Sequence, residues 1–286
     1  NDLDEIFEPG WREKLESKWR PEYTRARYQF AWSHHPDGSV SKQYPMEKIH
    51  RRQGYRWVHP VHEILKYSGE GGERFVWIND IVLHHYPDLS KPRSQYLPLL
   101  ELSVKENPED DRAMFWLGRE YVFYEKHDLA IKTLRQYLEL PSALWREERS
   151  AAMRFIGRCY ESKGDSENAK AWLYRAVAEC PEVREPYLSL VRFGYAKENW
   201  TMVYAMALAG LTVTHNSGSY LVQPESWGCT LYDYAAIGAY NLEMYDKARE
   251  YAAEACRLEP ENARLKSNLD LIEKKISSHA EKGDQV

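Results

Sequence analysis

The feature that most constrains this chain is a recurring pattern of small and large side chains with a period of 34 residues. The clearest copy starts at Ser150, with Ile156-Gly157 at its positions 7 and 8, Tyr160 at 11, Gly164 at 15, Ala169 at 20, Ala176 at 27 and Pro181 at 32. An earlier copy holds Leu117-Gly118, Tyr121 and Ala130 and ends near Pro141. A later copy holds Tyr232, Tyr245, Ala248, Ala252, Ala255 and Pro260, and a degenerate one between them holds Tyr187, Leu190, Trp200 and Ala207. Small residues at positions 8, 20 and 27 let two antiparallel helices approach closely, while large residues fill the space between successive pairs. Such units cannot bury their apolar faces alone, so the pattern predicts a stack of about four helix pairs from residue 90 to 277.

The spacing and residue types resemble the tetratricopeptide repeat. From Pro181 to Pro260 is 79 residues, eleven more than two repeats. The excess falls in His215 to Gly228, a loop carrying Tyr220 and Trp227 that can serve as a binding feature, with packing over the helices the better expectation. Glu261 to Ile276 reads as a polar-faced terminal cap and residues 278–286 as a frayed tail.

The first 88 residues are different. Seven of the ten histidines lie there (34, 35, 50, 59, 62, 84 and 85), with two runs rich in strand formers, Tyr23 to Trp32 and Phe75 to Tyr86. Pro9 before the run Trp11 to Trp19 suits the first turn of a helix. The fold class expected is therefore α+β and mostly α: a partial α/β half-domain over 1–88, then a helical solenoid. A net charge of −5, with 39 basic and 44 acidic residues, gives no basic domain and argues against generic nucleic-acid binding. No apolar run of 18 residues is present, so no transmembrane segment is expected. Four cysteines without metal-ligand spacing read as core residues of a reducing compartment, which places the chain in the cytoplasm.

Several groups in the first region can carry chemistry. Asp2 and Asp4 alternate, so on an extended strand end both can converge on one divalent cation. His84 and His85 end an apolar run, and adjacent strand residues face opposite sides, so one of the two can reach a site. His59-Pro60-Val61-His62-Glu63 invites a zinc-hydrolase reading, but the spacing is wrong and the proline opposes the long helix such motifs need. Trp32, Trp57, Trp77 and Tyr86 can stack on a sugar face, with core packing the better expectation, and Arg51, Arg52 and Arg56 can meet a diphosphate or form a solvated face.

Taken in order, Asp2-Leu3-Asp4-Glu5, Trp57-Val58-His59-Pro60-Val61-His62-Glu63 and His84-His85-Tyr86-Pro87 ahead of the repeats resemble the second half of a family-2 glycosyltransferase of GT-A fold, of the bacterial and phage type. The resemblance spans about residues 1–277 and implies that an N-terminal nucleotide-binding half is missing, so that the chain is a fragment. It implies that Asp2 and Asp4 hold Mn²⁺ or Mg²⁺ on the diphosphate of a nucleotide-sugar donor, with His85, or else His84, as a late metal ligand. It further implies that Glu63 takes the proton from the acceptor hydroxyl in an inverting transfer. The repeats would then bind the acceptor, a glycan or protein, or serve a protein partner or a second copy of the chain. The alternative is a non-catalytic helical-repeat scaffold in which residues 1–88 are a remnant.

Overall fold

The computed structural model describes residues 4–87 and 96–283, with side chains as far as Ser278. It divides into two compact units. One runs to Glu120 and takes in Gly218–Tyr220; the other comprises Tyr121–Ser217 and continues from Leu221. The last strand ends at His85 and the next described helix begins at Tyr96, but the division between the units falls inside a helix at Glu120.

In the first unit a four-stranded sheet has the order β1 (Glu5–Phe7), β6 (Phe75–His85), β2 (Arg25–His34), β3 (Val40–His50). β2 and β6 run parallel, while β1 pairs antiparallel with β6 and β3 with β2. Helix α1 (Trp11–Lys18) presents Trp11 and Leu15, with Trp19 just beyond its end, spaced four residues apart along one face. These pack on Ala26, Tyr28, Phe30, Val76, Ile78, Ile81 and Leu83, the buried face of the central strands. A separate hairpin, β4 (Tyr55–Val58) and β5 (Ile64–Tyr67), is tied to the sheet by Arg25, whose guanidinium donates to the Leu65 carbonyl at 2.6 Å and pairs with Glu47 and Glu73. Helix α2 (Tyr96–Glu106) and most of α3 (Asp111–Phe123) complete this unit.

The second unit is the repeat array. After α4 (His127–Glu139) come the pairs α5 (Arg146–Ser162) with α6 (Ser166–Glu179), α7 (Glu185–Ala196) with α8 (Trp200–Leu211), and α9 (Thr230–Asn241) with α10 (Tyr245–Leu258). Helix α11 (Ala263–Gly283) packs on α10 as a cap and continues past the point where a frayed tail was expected. Within the array the small residues lie buried where the period required: Ala169, Ala176, Ala248 and Ala255 are wholly buried. At Gly157 a Cβ would stand 2.9 Å from the end of the Leu173 side chain, which would have to shift, and at Gly238 one would stand 2.9 Å from the Tyr204 backbone nitrogen, so Gly238 needs the bare backbone.

The corners within the pairs bend through a left-handed residue. At α5–α6 this is Gly164 (φ 78°), but at the other three it is a glutamate: Glu125 (56°), Glu198 (52°) and Glu243 (61°). Asp165 and Asn199 cap α6 and α8 by accepting from the backbone N–H of Asn168 and Met202. Cys159, Cys180 and Cys229 are buried as expected of core thiols, and burial pushes them up to about 11, 11 and 12.

Candidate functional site

Asp2 lies outside the described residues. Asp4 precedes the short strand β1, and the antiparallel register that pairs Glu5 with His85 brings its carboxylate to 3.8 Å from His85 Nε2. His85 donates from Nδ1 to the Trp32 carbonyl at 3.2 Å, and its ring stacks on Trp32 with centroids 4.5 Å apart. Nε2 of a neutral His85 therefore turns a lone pair toward Asp4, and a proton there makes the two an ion pair.

His84 does not join them. It faces a different set, because successive strand residues alternate. A neutral His84 that donates from Nε2 to Glu8 at 3.1 Å accepts at Nδ1 from His34 Nε2 at 2.8 Å, and His34 stacks on Tyr86. Burial, then the neighbouring imidazoles of His84 and His85, lowers the pKa of His34. Among the described residues no group of three His, Cys, Asp or Glu side chains is arranged to hold a metal ion.

Glu63 is exposed in the turn between β4 and β5. That turn has two histidines with positive φ, His59 (71°) and His62 (54°). They part company: His59 Nδ1 pairs with Asp110 at 3.0 Å, while the His62 ring stacks on Trp116 at 3.9 Å and its carbonyl accepts from Arg112. The His59-x-x-His62 pair is thus not a metal-ligand pair. Beside it lies a cleft of about 900 Å³ between the hairpin and the ends of α2 and α3, lined by His59, Lys66, Glu73, Glu106 and Asp110. The aromatic residues expected in the core lie outward instead, with Trp32, Trp57, Trp77 and Tyr86 each 45–53% exposed. Trp77 lies under the Arg27 guanidinium. Arg51 is used on backbone, donating to the Tyr23 carbonyl, and Arg52 and Arg56 are exposed.

In the second unit the polar groups gather on α5 and α7, the first helices of successive pairs, which touch one another. Glu185 is buried, and one carboxylate oxygen accepts from the Gln223 backbone N–H at 3.0 Å and the Trp227 indole N–H at 3.1 Å. The Arg184 guanidinium stacks on the Trp227 ring at 4.5 Å and donates to the Val213 carbonyl. The Gln223–Trp227 part of the long loop is therefore anchored to α7, whereas Tyr220 stacks on Trp116 and groups with the first unit. Arg192 pairs loosely with Glu225 of the same loop at 3.7 Å. Arg154 on α5 is 8% exposed, and its Nε has no hydrogen-bond partner. Burial lowers its pKa to about 10, against the opposing pull of Glu185 and Glu225. Neither Arg154 nor Glu185 stood out in the sequence. The available signal was polarity inside an apolar-periodic helix, at positions 5 and 2 of copies that start at 150 and 184.

Two stretches match known families. Residues 155–182 match the tetratricopeptide repeat, and residues 230–280 match the Fis1 C-terminal tetratricopeptide repeat. No curated protein matches the chain. Similar solved structures include MamA (16% identity, 63% of this chain and 99% of that one, TM-score 0.47). Others are YrrB, described as a TPR protein with an unusual peptide-binding site (16%, 62% and 84%, 0.49), and PilF of Pseudomonas aeruginosa (12%, 62% and 72%, 0.45). The C-terminal region thus carries tetratricopeptide repeats, and a small sheet region precedes them. The expectation of a glycosyltransferase is corrected, since the family matches fall in the helical repeats and favour the scaffold alternative. The GT-A assignment of the sheet region, the nucleotide-sugar donor and the glycan acceptor gain no support from these matches. Among the described residues no helix is long and apolar enough to cross a membrane.

Proposed function

We propose that this chain is a tetratricopeptide-repeat scaffold that binds a segment of a partner protein along the first helices of its repeats. The observation that carries the reading is the stack of helix pairs in which the two matched families fall, closed by a cap helix. Stacked pairs of this kind make an extended surface whose shape is set by the array, and peptides dock on such surfaces through side chains repeated at fixed intervals. Here the first helices offer both charge and exposed aromatic area, including Arg158 and Arg192 and the rings of Phe123 and Tyr195, 59% and 43% exposed. Apolar rings left in water on a helical array are favourable docking points because burying them releases that surface from solvent.

The reading is tested by selecting peptides from a displayed random library on the immobilised full chain and measuring the enriched sequences by fluorescence anisotropy. Binding should weaken at least tenfold in Tyr195→Ala and stay unchanged in Lys247→Ala, which alters the outer helix of a later pair. A selection that enriches nothing, or peptides indifferent to Tyr195, would refute the scaffold.

A further inference from the structure

We infer that the face of α5 around Arg154 is a recognition site for an acidic side chain of a bound peptide, the carboxylate serving a guanidinium whose Nε has no hydrogen-bond partner in the protein. The inference rests on the scaffold reading and names the chemistry of its ligand.

A buried guanidinium ordinarily has its charge and its five N–H groups matched by carboxylates or carbonyls, because an uncompensated charge away from water is strongly unfavourable. Elsewhere in this unit the rule is kept. Arg184 has the Val213 carbonyl and the Trp227 ring, and Arg149 has Glu179 together with the carbonyls of Leu138 and Ala143. Arg154, more than nine-tenths buried, has the Phe155 ring 6.0 Å away but no hydrogen-bond partner for its Nε. The two acids whose charge acts on it have oxygens turned to other groups: Glu185 Oε1 accepts from Gln223 and Trp227, and Glu225 Oε1 lies 3.7 Å from Arg192.

The surroundings favour an anion over any other ligand. Arg158 follows Arg154 by four residues on the same helix, so both project from one face, and Arg158 is exposed. Arg192 follows Arg158 by one full period of 34 residues, which puts it at the same position of the next repeat on the neighbouring helix α7. Arg158 and Arg192 are thus in register along two touching helices, the Arg192 charge is set against that of Arg154 and only loosely met by Glu225, and a carboxylate placed among the three adds the opposite charge. Arginine suits the task because its planar fork can bind both carboxylate oxygens at once. A peptide of alternating acidic and apolar residues would meet this row with its acids and the Tyr195 ring with its apolar side chains.

The test uses the full chain and three fluorescein-labelled twelve-residue probes. The first is a Glu-rich peptide with an amidated C-terminus, the second is the same sequence with Gln for Glu, and the third is the Gln sequence with a free C-terminus. The amidated Glu peptide should bind at least tenfold more tightly than its Gln counterpart and weaken as sodium chloride rises from about 50 to 300 mM, as exposed charge contacts are screened. Arg154→Met should lower its affinity at least tenfold while the free protein melts at the same or a higher temperature, since an unmatched charge has been removed. Arg154→Lys, which keeps the charge and loses the fork, should fall between, and the exposed Arg158→Gln should cost about threefold. If Arg154→Met does not fold, the last two variants decide: reduced binding in both supports the site and unchanged binding overturns it. Equal binding of Glu and Gln probes, or binding that requires the free C-terminus, also overturns it. Tight binding of the Gln probes alone would leave the scaffold standing and remove the acidic ligand, whereas a failed library selection would remove both.

Discussion

The two units bury opposite kinds of side chain. The sheet unit is filled by bulk: Tyr28, Phe30, Ile78, Ile81 and Leu83 stand on one face of the central strands, with the rings of α1 laid over them. The repeat unit is defined by its lack of bulk, since alanines and glycines sit where helices cross and leave no room for a further carbon. A sheet packs across a gap of about 10 Å that large side chains must fill, whereas helices carrying small residues can bring their backbones together. One region should therefore fail when atoms are taken away, and the other when atoms are added.

The largest effect expected from this contrast is that of Phe30→Ala, which removes a ring 2% exposed and should cost about 3–5 kcal/mol in denaturant unfolding. Hydrogen exchange should accelerate in Arg25–His34 and Phe75–His85; acceleration confined to the repeats would break the distinction. Next comes Gly238→Val, which adds atoms where even a Cβ meets the Tyr204 backbone and should cost about 1–3 kcal/mol, read as faster exchange in α8 and α9. A neutral result would mean that these helices can part without penalty, and that their small residues are incidental. Asn199→Ala removes the cap of α8 without touching either kind of core and should cost about 1 kcal/mol by chemical denaturation.

The smallest effect is a pH dependence specific to the sheet unit. His34 has a lowered pKa in the folded state, so the unfolded chain takes up protons first as pH falls. Its contribution to stability is intact above its ordinary value of 6.5 and declines as the pH falls from there through the folded value. The melting temperature should drop over that window less in His34→Gln than in the parent protein, and identical profiles would remove His34 as the cause.

The contrast also explains what could be read in advance. The helix pairs were legible because a crossing of backbones demands small residues at fixed intervals, and Gly157, Ala169 and Ala176 satisfy that demand locally in sequence. The strands Tyr23 to Trp32 and Phe75 to Tyr86 were legible from apolar content alone. The sites were harder because partners there are chosen by register and by turns. Asp4 meets His85 only because β1 pairs with β6 at Glu5 and His85. His84, one residue earlier, is turned to Glu8 and His34 for the same reason. Nothing in the string His59-Pro60-Val61-His62 announces two left-handed backbones that send its imidazoles to Asp110 and Trp116. The resemblance to a sugar transferase attached a chemistry to residues whose neighbours were not yet known. Arg154 went unnoticed because polarity at one position of a helix does not tell whether a partner is present.

Glu125, Glu198 and Glu243 give the array an unspent margin. Each holds a side chain in a backbone state that glycine or asparagine enters at less cost, and each stands at the corner between the two helices of a pair. An engineer seeking heat tolerance has three addresses at which to rewrite the chain.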